Sequence, residues 1–424
     1  MFKQNALIEE MDGLRGFAWR LTRNKADAED LVQSTVLRAL EKKHLFREGS
    51  NLFSWTSKIM YNLFVTAYRR KTKFETQYNP ESYIERESVD ANQEKKMEFQ
   101  QVREAIETLS HRLNKALKRA EKNTAGGRPP FDAVLMFKAL VLQSLYNLSD
   151  DQTEYQIRDR LSFRRFLGLA IDARVPDAKT IWLFREHLVK AGAVEKLFAL
   201  FNRHLEEKGL RAMGGQMIDA SFVHVPVQRN DRDENDALKA GNVPEEWLES
   251  RAKLRQKDTD ARWTKKNEIS HYGYKNHINA DRRFKLIRKY DVTSAAAHDS
   301  RSFDDLLDPD NTCADLWADS AYRSAERETD LKERMIRSHI HHKGHRNRPL
   351  SKHKQQVNKR RSKVRVRVEH VFGHQANNMG GTLVRTIGMA RAKTKIGLKN
   401  LAYNMQRFVF LLRTGQRCGQ PAPA

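Results

Sequence analysis

The chain has 424 residues, 78 Lys+Arg against 54 Asp+Glu, and a formal net charge of +24; at ~150 residues per domain it holds two or three domains with ample core. Its composition, 39% hydrophobic and 31% charged, excludes collagen-like and wholly disordered classes, and no apolar run approaches the ~18–20 residues of a membrane helix. The opening MFKQNALIEEMDG has no apolar signal core, and two cysteines, Cys313 and Cys418, make neither a disulfide framework nor a Cys-rich zinc site, so the expectation is a cytoplasmic protein in a reducing compartment.

The first predicted elements are helical. Asp27 is placed to cap a helix carrying Val32, Val36, Ala39 and Leu40 on one stripe. After the Gly49-Ser50-Asn51 turn, Leu52, Trp55, Ile59 and Leu63 recur at helical spacing and lead into Tyr68-Arg69-Arg70-Lys71. On periodicity alone these residues are core with a basic end. Their order, Asp27-Ala28-Glu29-Asp30-Leu31-Val32-Gln33, then Phe46-Arg47-Glu48-Gly49-Ser50-Asn51-Leu52, then Trp55, Ile59, Asn62, Arg69 and Arg70, resembles region 2 of extracytoplasmic-function sigma factors over about residues 6–75. The resemblance implies a helix that docks on RNA polymerase and another that reads melted promoter DNA. Met97–Ser110 resembles the approach to sigma region 4, and the helix-turn-helix of that region does not follow.

Residues 76–127 read as a polar linker, closed by Gly126-Gly127-Arg128-Pro129-Pro130, which cannot continue a helix. Over 128–210 the pattern is again helical. Asp132–Tyr146 is apolar on nearly every side, Ser149 and Asp150 can cap a helix running to Leu161, and a third starting at Asp177 aligns Ile181, Phe184 and Leu188 beside Arg185. Such a region fits either a helix-turn-helix-like DNA-binding domain or a structural bundle.

Beyond Gly214-Gly215 the period becomes that of strands. Gln216–Val225, His277–Ala280, Phe284–Thr293 and Ala314–Ala318 are the expected strands, with a helical or mobile insertion at Gln228–Glu268. The charge distribution shifts as well. Residues 331–424 contain 22 Lys+Arg and 2 Asp+Glu, whereas residues 1–330 are nearly balanced at 56 and 52. Apolar residues recur through this basic quarter, so it reads as a folded surface for a polyanion, DNA or RNA, rather than a solvated tail.

Three acids are out of place. Asp219 lies among Met217, Ile218 and Ala220, Asp319 follows Leu316-Trp317-Ala318, and Glu369 stands in the basic field. A carboxylate in an apolar strand is costly unless it is paired or metal-bound. Spacing alone does not bring the three together.

Residues ~126–412 resemble a DDE insertion-sequence transposase of the IS-five group. The resemblance rests on Gly127-Arg128-Pro129-Pro130-Phe131-Asp132, Leu148-Ser149-Asp150-Asp151-Gln152-Thr153-Glu154 and Asp159–Leu169, and on Asp219-Ala220-Ser221 and Tyr272-Gly273-Tyr274-Lys275-Asn276-His277. It continues in Ala318-Asp319-Ser320-Ala321-Tyr322-Arg323, Arg365-Val366-Arg367-Val368-Glu369-His370-Val371-Phe372 and Asn400-Leu401-Ala402-Tyr403-Asn404. It implies an α/β RNase H-like catalytic domain over 211–412, followed by a tail at 413–424.

The same resemblance makes Asp219, Asp319 and Glu369 the catalytic trio and the ligands of Mg²⁺ or Mn²⁺, with two ions about 3.5–4 Å apart. Arg128, Arg185, Lys275, Tyr322, Arg323, Arg365 and Arg367 become candidate contacts to double-stranded DNA, with core packing an equal alternative for Tyr322 and Arg323, and with a homo-oligomer assembled on that DNA.

Three local readings stay open. Alternating Val364, Val366 and Val368 read as a strand, whereas the resemblance puts Glu369 on a helix with Arg365 at i, i+4. There Arg365 orients Glu369, contacts phosphate, or forms a surface ion pair. The family pattern carries a tyrosine seven residues before the glutamate and a lysine seven after; here Ser362 and Ala376 stand there, with His374 and Gln375 as substitutes. His339, His341, His342 and His345 form a metal-like cluster without cysteine partners, so phosphate contacts by a basic loop compete with zinc. The function implied is metal-dependent cleavage at element ends and strand transfer. The alternatives are a non-catalytic DNA-binding regulator, sigma-like or an element repressor, and a nuclease without strand transfer.

Overall fold

The computed structural model describes residues 10–22, 25–43, 46, 51–74, 102–103, 106–107, 130–266, 268–344 and 349–415, together with Leu7. Arg128, His345 and the tail beyond 415 lie outside them. The chain divides into two units, Met1–Gln93 and Glu94–Ala424.

The first unit contains helices α1 (Met11–Thr22), α2 (Lys25–Glu41) and α3 (Leu52–Phe74). Leu14, Ala18, Leu31, Val32 and Met60 are buried together, and Phe46 packs edge-on against Trp55 at 5.3 Å. Helix α2 begins two residues before Asp27, so Asp27 lies in its first turn and not at its cap. Leu40, expected on the buried stripe, is exposed.

From residue 130 the second unit continues with five helices: α4 (Ala133–Tyr146), α5 (Asp150–Asp159), α6 (Leu161–Leu167), α7 (Ala178–Ala191) and α8 (Ala193–Glu207). Their ends are set by local chemistry. The Asp132 carboxylate accepts from the Leu135 amide at 2.9 Å, Ser149 and Gln152 close a capping box on α5, and Asp177 accepts from the Thr180 amide at 2.6 Å. Helix α4 is apolar all round because it is buried all round.

The sheet follows, with strands β1 (Gln216–His224), β2 (Arg262–Lys266), β3 (Ile269–Asp281), β4 (Ile287–Ser294), β5 (Asp315–Ala318) and β6 (Arg337–Ser338). Its order is β2-β3-β1-β5-β6, with β4 also pairing β3. Strand β1 runs antiparallel to β3 and parallel to β5, and β5 runs parallel to β6. Between β1 and β3 the insertion forms α9 (Arg232–Lys239), α10 (Glu245–Glu249), α11 (Arg251–Gln256) and β2; it is helical as expected and also adds a strand. Helices α12 (Phe303–Leu306) and α13 (Ala325–Glu333) precede and follow β5. Two long helices, α14 (Lys352–Asn377) and α15 (Met389–Arg413), complete the unit.

Alternation along β1 sorts its residues between two cores. Met217 packs with Ile278, Ala280 and Trp317 in the large core shared by α4–α8, α14 and α15. Ile218 packs with Phe303, Leu306, Leu316, Ala318 and Leu331 on the other side. The glycine entering β1 is obligatory: at Gly215, φ is +99°, and a Cβ would fall 2.5 Å from the Trp317 ring and 2.6 Å from the Asp315 carbonyl.

The helices of residues 128–210 share one core with the sheet, and two expectations change here. Part of the expected linker is folded: Val102 and Ile106 lie in that core, and Glu107 accepts from Lys138 at 2.8 Å. The strand suggested by Val364, Val366 and Val368 is helix α14. Val364, Val368 and Val371 at i, i+4 and i+7 face the core, whereas Val366 is 42% exposed, and the Ser351 side chain caps the helix.

Arg185 belongs to this core and is corrected from a DNA contact to a structural ion pair. Its side chain is 5% exposed, and it grips Asp150 bidentately at 2.6 and 2.7 Å. Gln143 joins both partners. Replacing Asp150 with Ala leaves a buried guanidinium unpaired, and we expect a loss of about 3 kcal/mol in urea unfolding. Asp150 remains partly exposed, which keeps the loss at the low end of the range for buried pairs.

Candidate active site

The register brings two of the three acids side by side. Ile218 pairs with Ala318 across the parallel β1–β5 ladder, so Asp219 on β1 and Asp319, the residue that follows β5, come next to each other. Alternation places both on the face of Met217 and Trp317, the face that α14 covers. The third acid comes from α14 itself. Arg365 and Glu369 lie one helical turn apart, and the Arg365 guanidinium spans the gap to the sheet. One Nη donates to Asp219 Oδ2 at 2.6 Å and the other to Glu369 Oε1 at 3.1 Å. The Arg365–Glu369 contact fits both the orienting and the ion-pair readings of the sequence, and Asp219 is a partner that the sequence did not reveal.

Burial raises the Asp219 carboxyl from 3.8 to about 6. Arg365 and the Ala220 amide pull against that shift, Asp319 adds to it, and Lys266 lowers it slightly. The Asp219 side chain is 17% exposed, whereas that of Glu369 is 52% exposed. Asp319 is more open and accepts from the Ser320 amide at 2.6 Å. His341 Nδ1 stands 3.8 Å from Asp319, and burial followed by the charge of Arg365 lowers its pKa.

Asp219 and Asp319 form a pair of hard oxygen donors suited to Mg²⁺ or Mn²⁺. Among the described residues no three His, Cys, Asp or Glu side chains are grouped closely enough to hold an ion together. Arg365 lies between Asp219 and Glu369 and donates to both.

The other expected contacts separate. Lys275 is inside, donating to the Ala297 carbonyl at 2.6 Å and Asp299 at 2.8 Å. Tyr322 is 1% exposed and packs on Phe303. Arg323 holds the Ile340 carbonyl and Glu328. These contacts give Lys275 a bracing role and fit the packing alternative for Tyr322 and Arg323. Arg367 is exposed on α14, as are Lys352, Lys354, Lys359, Arg360 and Lys363.

Among the described residues the histidines do not form a metal cluster. His339 binds Asp315 at 2.9 Å and stacks on Trp317, and the His342 amide donates to Asn358; of the described three, His341 alone reaches the acids. His374 and Gln375, weighed as substitutes for the missing lysine, turn to Gln406 and Asn400 on α15. Ser362 lies 3.4 Å from His341.

Three family models match this chain: Sigma-70 region 2 over residues 7–74, Transposase domain (DUF772) over 87–187, and Transposase DDE domain over 212–405. Two transposase-domain models thus match behind a sigma-70 region 2 model. No solved structure matches it. The DUF772 match includes Met97–Ser110, which the sequence reading had assigned to the approach to sigma region 4; the packing of Val102 and Ile106 agrees with the transposase assignment. Both kinds of domain imply DNA binding. Among the described residues no helix is long and apolar enough to cross a membrane.

Asp219 holds its proton more tightly folded than unfolded, so folding takes up a proton between about pH 4 and 6, and stability falls as pH rises through that window. Asp219→Asn removes this cost. The variant is expected to gain about 1–3 kcal/mol at pH 7, with the gain shrinking towards pH 4, in urea unfolding at both pH values.

Proposed function

We propose that this protein is a DDE transposase of the IS-five group, whose RNase H-like core cleaves DNA at insertion-sequence ends and joins the freed strand to target DNA. The observation that carries this reading is the adjacency of Asp219 on β1 and Asp319 just after the parallel β5, with Arg365 and Glu369 above them on α14. Disregarding the inserted β2, the order β4-β3-β1-β5-β6, with β1, β3 and β4 antiparallel and β5 and β6 parallel to β1, supports the RNase H-like assignment.

Asp219, Asp319 and Glu369 are the catalytic carboxylates, and Asp219 with Asp319 would hold Mg²⁺ or Mn²⁺. Metal ions bound there would supply Lewis-acid activation of a water or 3′-hydroxyl and stabilise the leaving oxygen. The residues of the chain prepare the site. Arg365 compensates the buried charge of Asp219 and fixes the direction of Glu369, and at neutral pH Asp219 is ionised and able to act as a ligand. The exposed cations of α14, Arg367 among them, bind phosphates and hold the duplex in register. Arg128 adds a contact from outside the described residues.

The reaction needs no protein nucleophile. A homo-oligomer pairing two element ends fits the reading, as does action in the cytoplasm on nucleoid DNA. The sigma-70 region 2 rides as a passenger left by insertion of an element into a sigma factor gene. Its match also supports a second reading, a DNA-binding regulator that does not cut.

The test is cleavage of a labelled duplex bearing the element end, with Mg²⁺ or Mn²⁺. We expect end-specific cutting that falls by at least ~10³-fold in Asp219→Asn, the equivalent of several kcal/mol of lost transition-state stabilisation, while DNA binding persists. Binding without cutting by the unaltered protein assigns it to the regulator class.

A further inference from the structure

A cavity of about 130 Å³ lies between α4, α7, α15 and the 382–386 segment, on the same face of the sheet as the acids but further along α14. Gln375, on its wall, is six residues beyond Glu369, or ~9 Å along the helix axis.

The charges around this cavity do not balance. Arg185, Arg385, Lys395 and Lys399 line it, and Asp150 is the sole acid among its walls. That acid is already gripped bidentately by Arg185. The Lys395 ammonium donates to a neutral amide oxygen, Gln143 Oε1, at 2.6 Å, which leaves two of its three donors unused. Lys399 donates to the Met379 and Gly381 carbonyls. Neither ammonium has a carboxylate of its own. Burial, then the charge of Arg185, brings Lys395 down to about 7, and burial brings Lys399 to about 8.

Two further polar atoms in the lining, Thr386 Oγ1 and Arg185 Nε, are buried with no hydrogen-bond partner. Buried cations are ordinarily paired, and buried donors ordinarily satisfied. Here the protein supplies donors and positive charge in excess, around a space large enough for a small tetrahedral anion. The rim is anchored: the Val384 amide donates to the His224 carbonyl at 2.9 Å, and Asn147 donates to the Gly380 carbonyl.

We propose that this cavity is a second anion site, distinct from the acids, which receives one phosphate-type oxyanion between Lys395, Lys399 and Thr386, with Arg385 at its mouth. Its ligand is a phosphate group of DNA or free phosphate; the two share the chemistry.

The full-length protein is titrated with sulfate, whose charge is constant between pH 6 and 8.5, and its Tm is followed. We expect a saturable rise of several degrees at pH 6, shrinking several-fold at pH 8.5 as Lys395 loses its proton. Lys395→Met, which removes an uncompensated buried charge, is expected to fold with a higher Tm at pH 6 in sulfate-free buffer and to lose the sulfate response. Asp219→Asn, on the acid site, is expected to keep it.

Oligonucleotides with and without a terminal phosphate separate the sources. About tenfold tighter binding of the phosphorylated strand, dependent on Lys395, assigns the ligand to DNA; sulfate binding with no such preference assigns it to free anion. No sulfate response in the unaltered protein, or an undiminished response in Lys395→Met, overturns the proposal. Neither readout depends on cleavage, so the pocket and the transposase reading fail separately.

Discussion

One guanidinium holds the acid site in its present form. Arg365 is the direct link between the carboxylate of a buried strand and the carboxylate of an exposed helix. Burial of Asp219 favours the neutral acid, and Arg365 only partly offsets that preference. The site therefore sets a guanidinium against a titratable carboxylate, and a charge arriving from outside acts on an acid already close to its ionisation point. The strand arrangement makes this unavoidable. Gly215 admits β1 against β5, the parallel register sets Asp219 beside Asp319, and alternation turns both towards α14.

The acid site is also held from behind by the helical region. Helices α4–α8 share the core of the sheet, and buried polar links cross between the parts. Arg391 on α15 grips Glu186 on α7 bidentately at 2.7 and 2.9 Å, and Asn276 on β3 exchanges hydrogen bonds with Asn400 on α15, which also accepts from Gln375 on α14. Such links are directional. They fix the rotation of α14 about its own axis, and with it the aim of Arg365 and Glu369. A helical region that shares its core with the acid site holds both as a single body.

The sequence revealed the elements more readily than the roles of their charged residues. Asp132, Ser149 and Asp177 act as caps because capping depends on residues three apart. The strands around Asp219 and before Asp319 followed from short-range alternation. The helix at Glu369 was legible too, in Val364, Val368 and Val371, but the intervening Val366 imitated a strand. Arg185, Lys275 and Tyr322 were beyond local reading. An arginine beside an apolar stripe looks the same whether it meets a phosphate or Asp150, and the partner that decides lies 35 residues away in sequence. Lys266 was missed for the same reason: its influence on Asp219 arises from the fold and leaves no local pattern.

The division of the chain also bears on what its N-terminus can contribute. The first unit closes a core of its own, around Leu14, Val32 and Met60, and its stability therefore draws on its own apolar contacts. Every residue of the acid site, every exposed cation of α14 and the whole lining of the cavity belong to the second unit. The charge follows the same boundary, concentrated after residue 331 where α14 and α15 lie. The acid site and the cavity thus lie wholly within residues 94–424, and the chemistry proposed at Asp219 draws on the side chains of that unit alone.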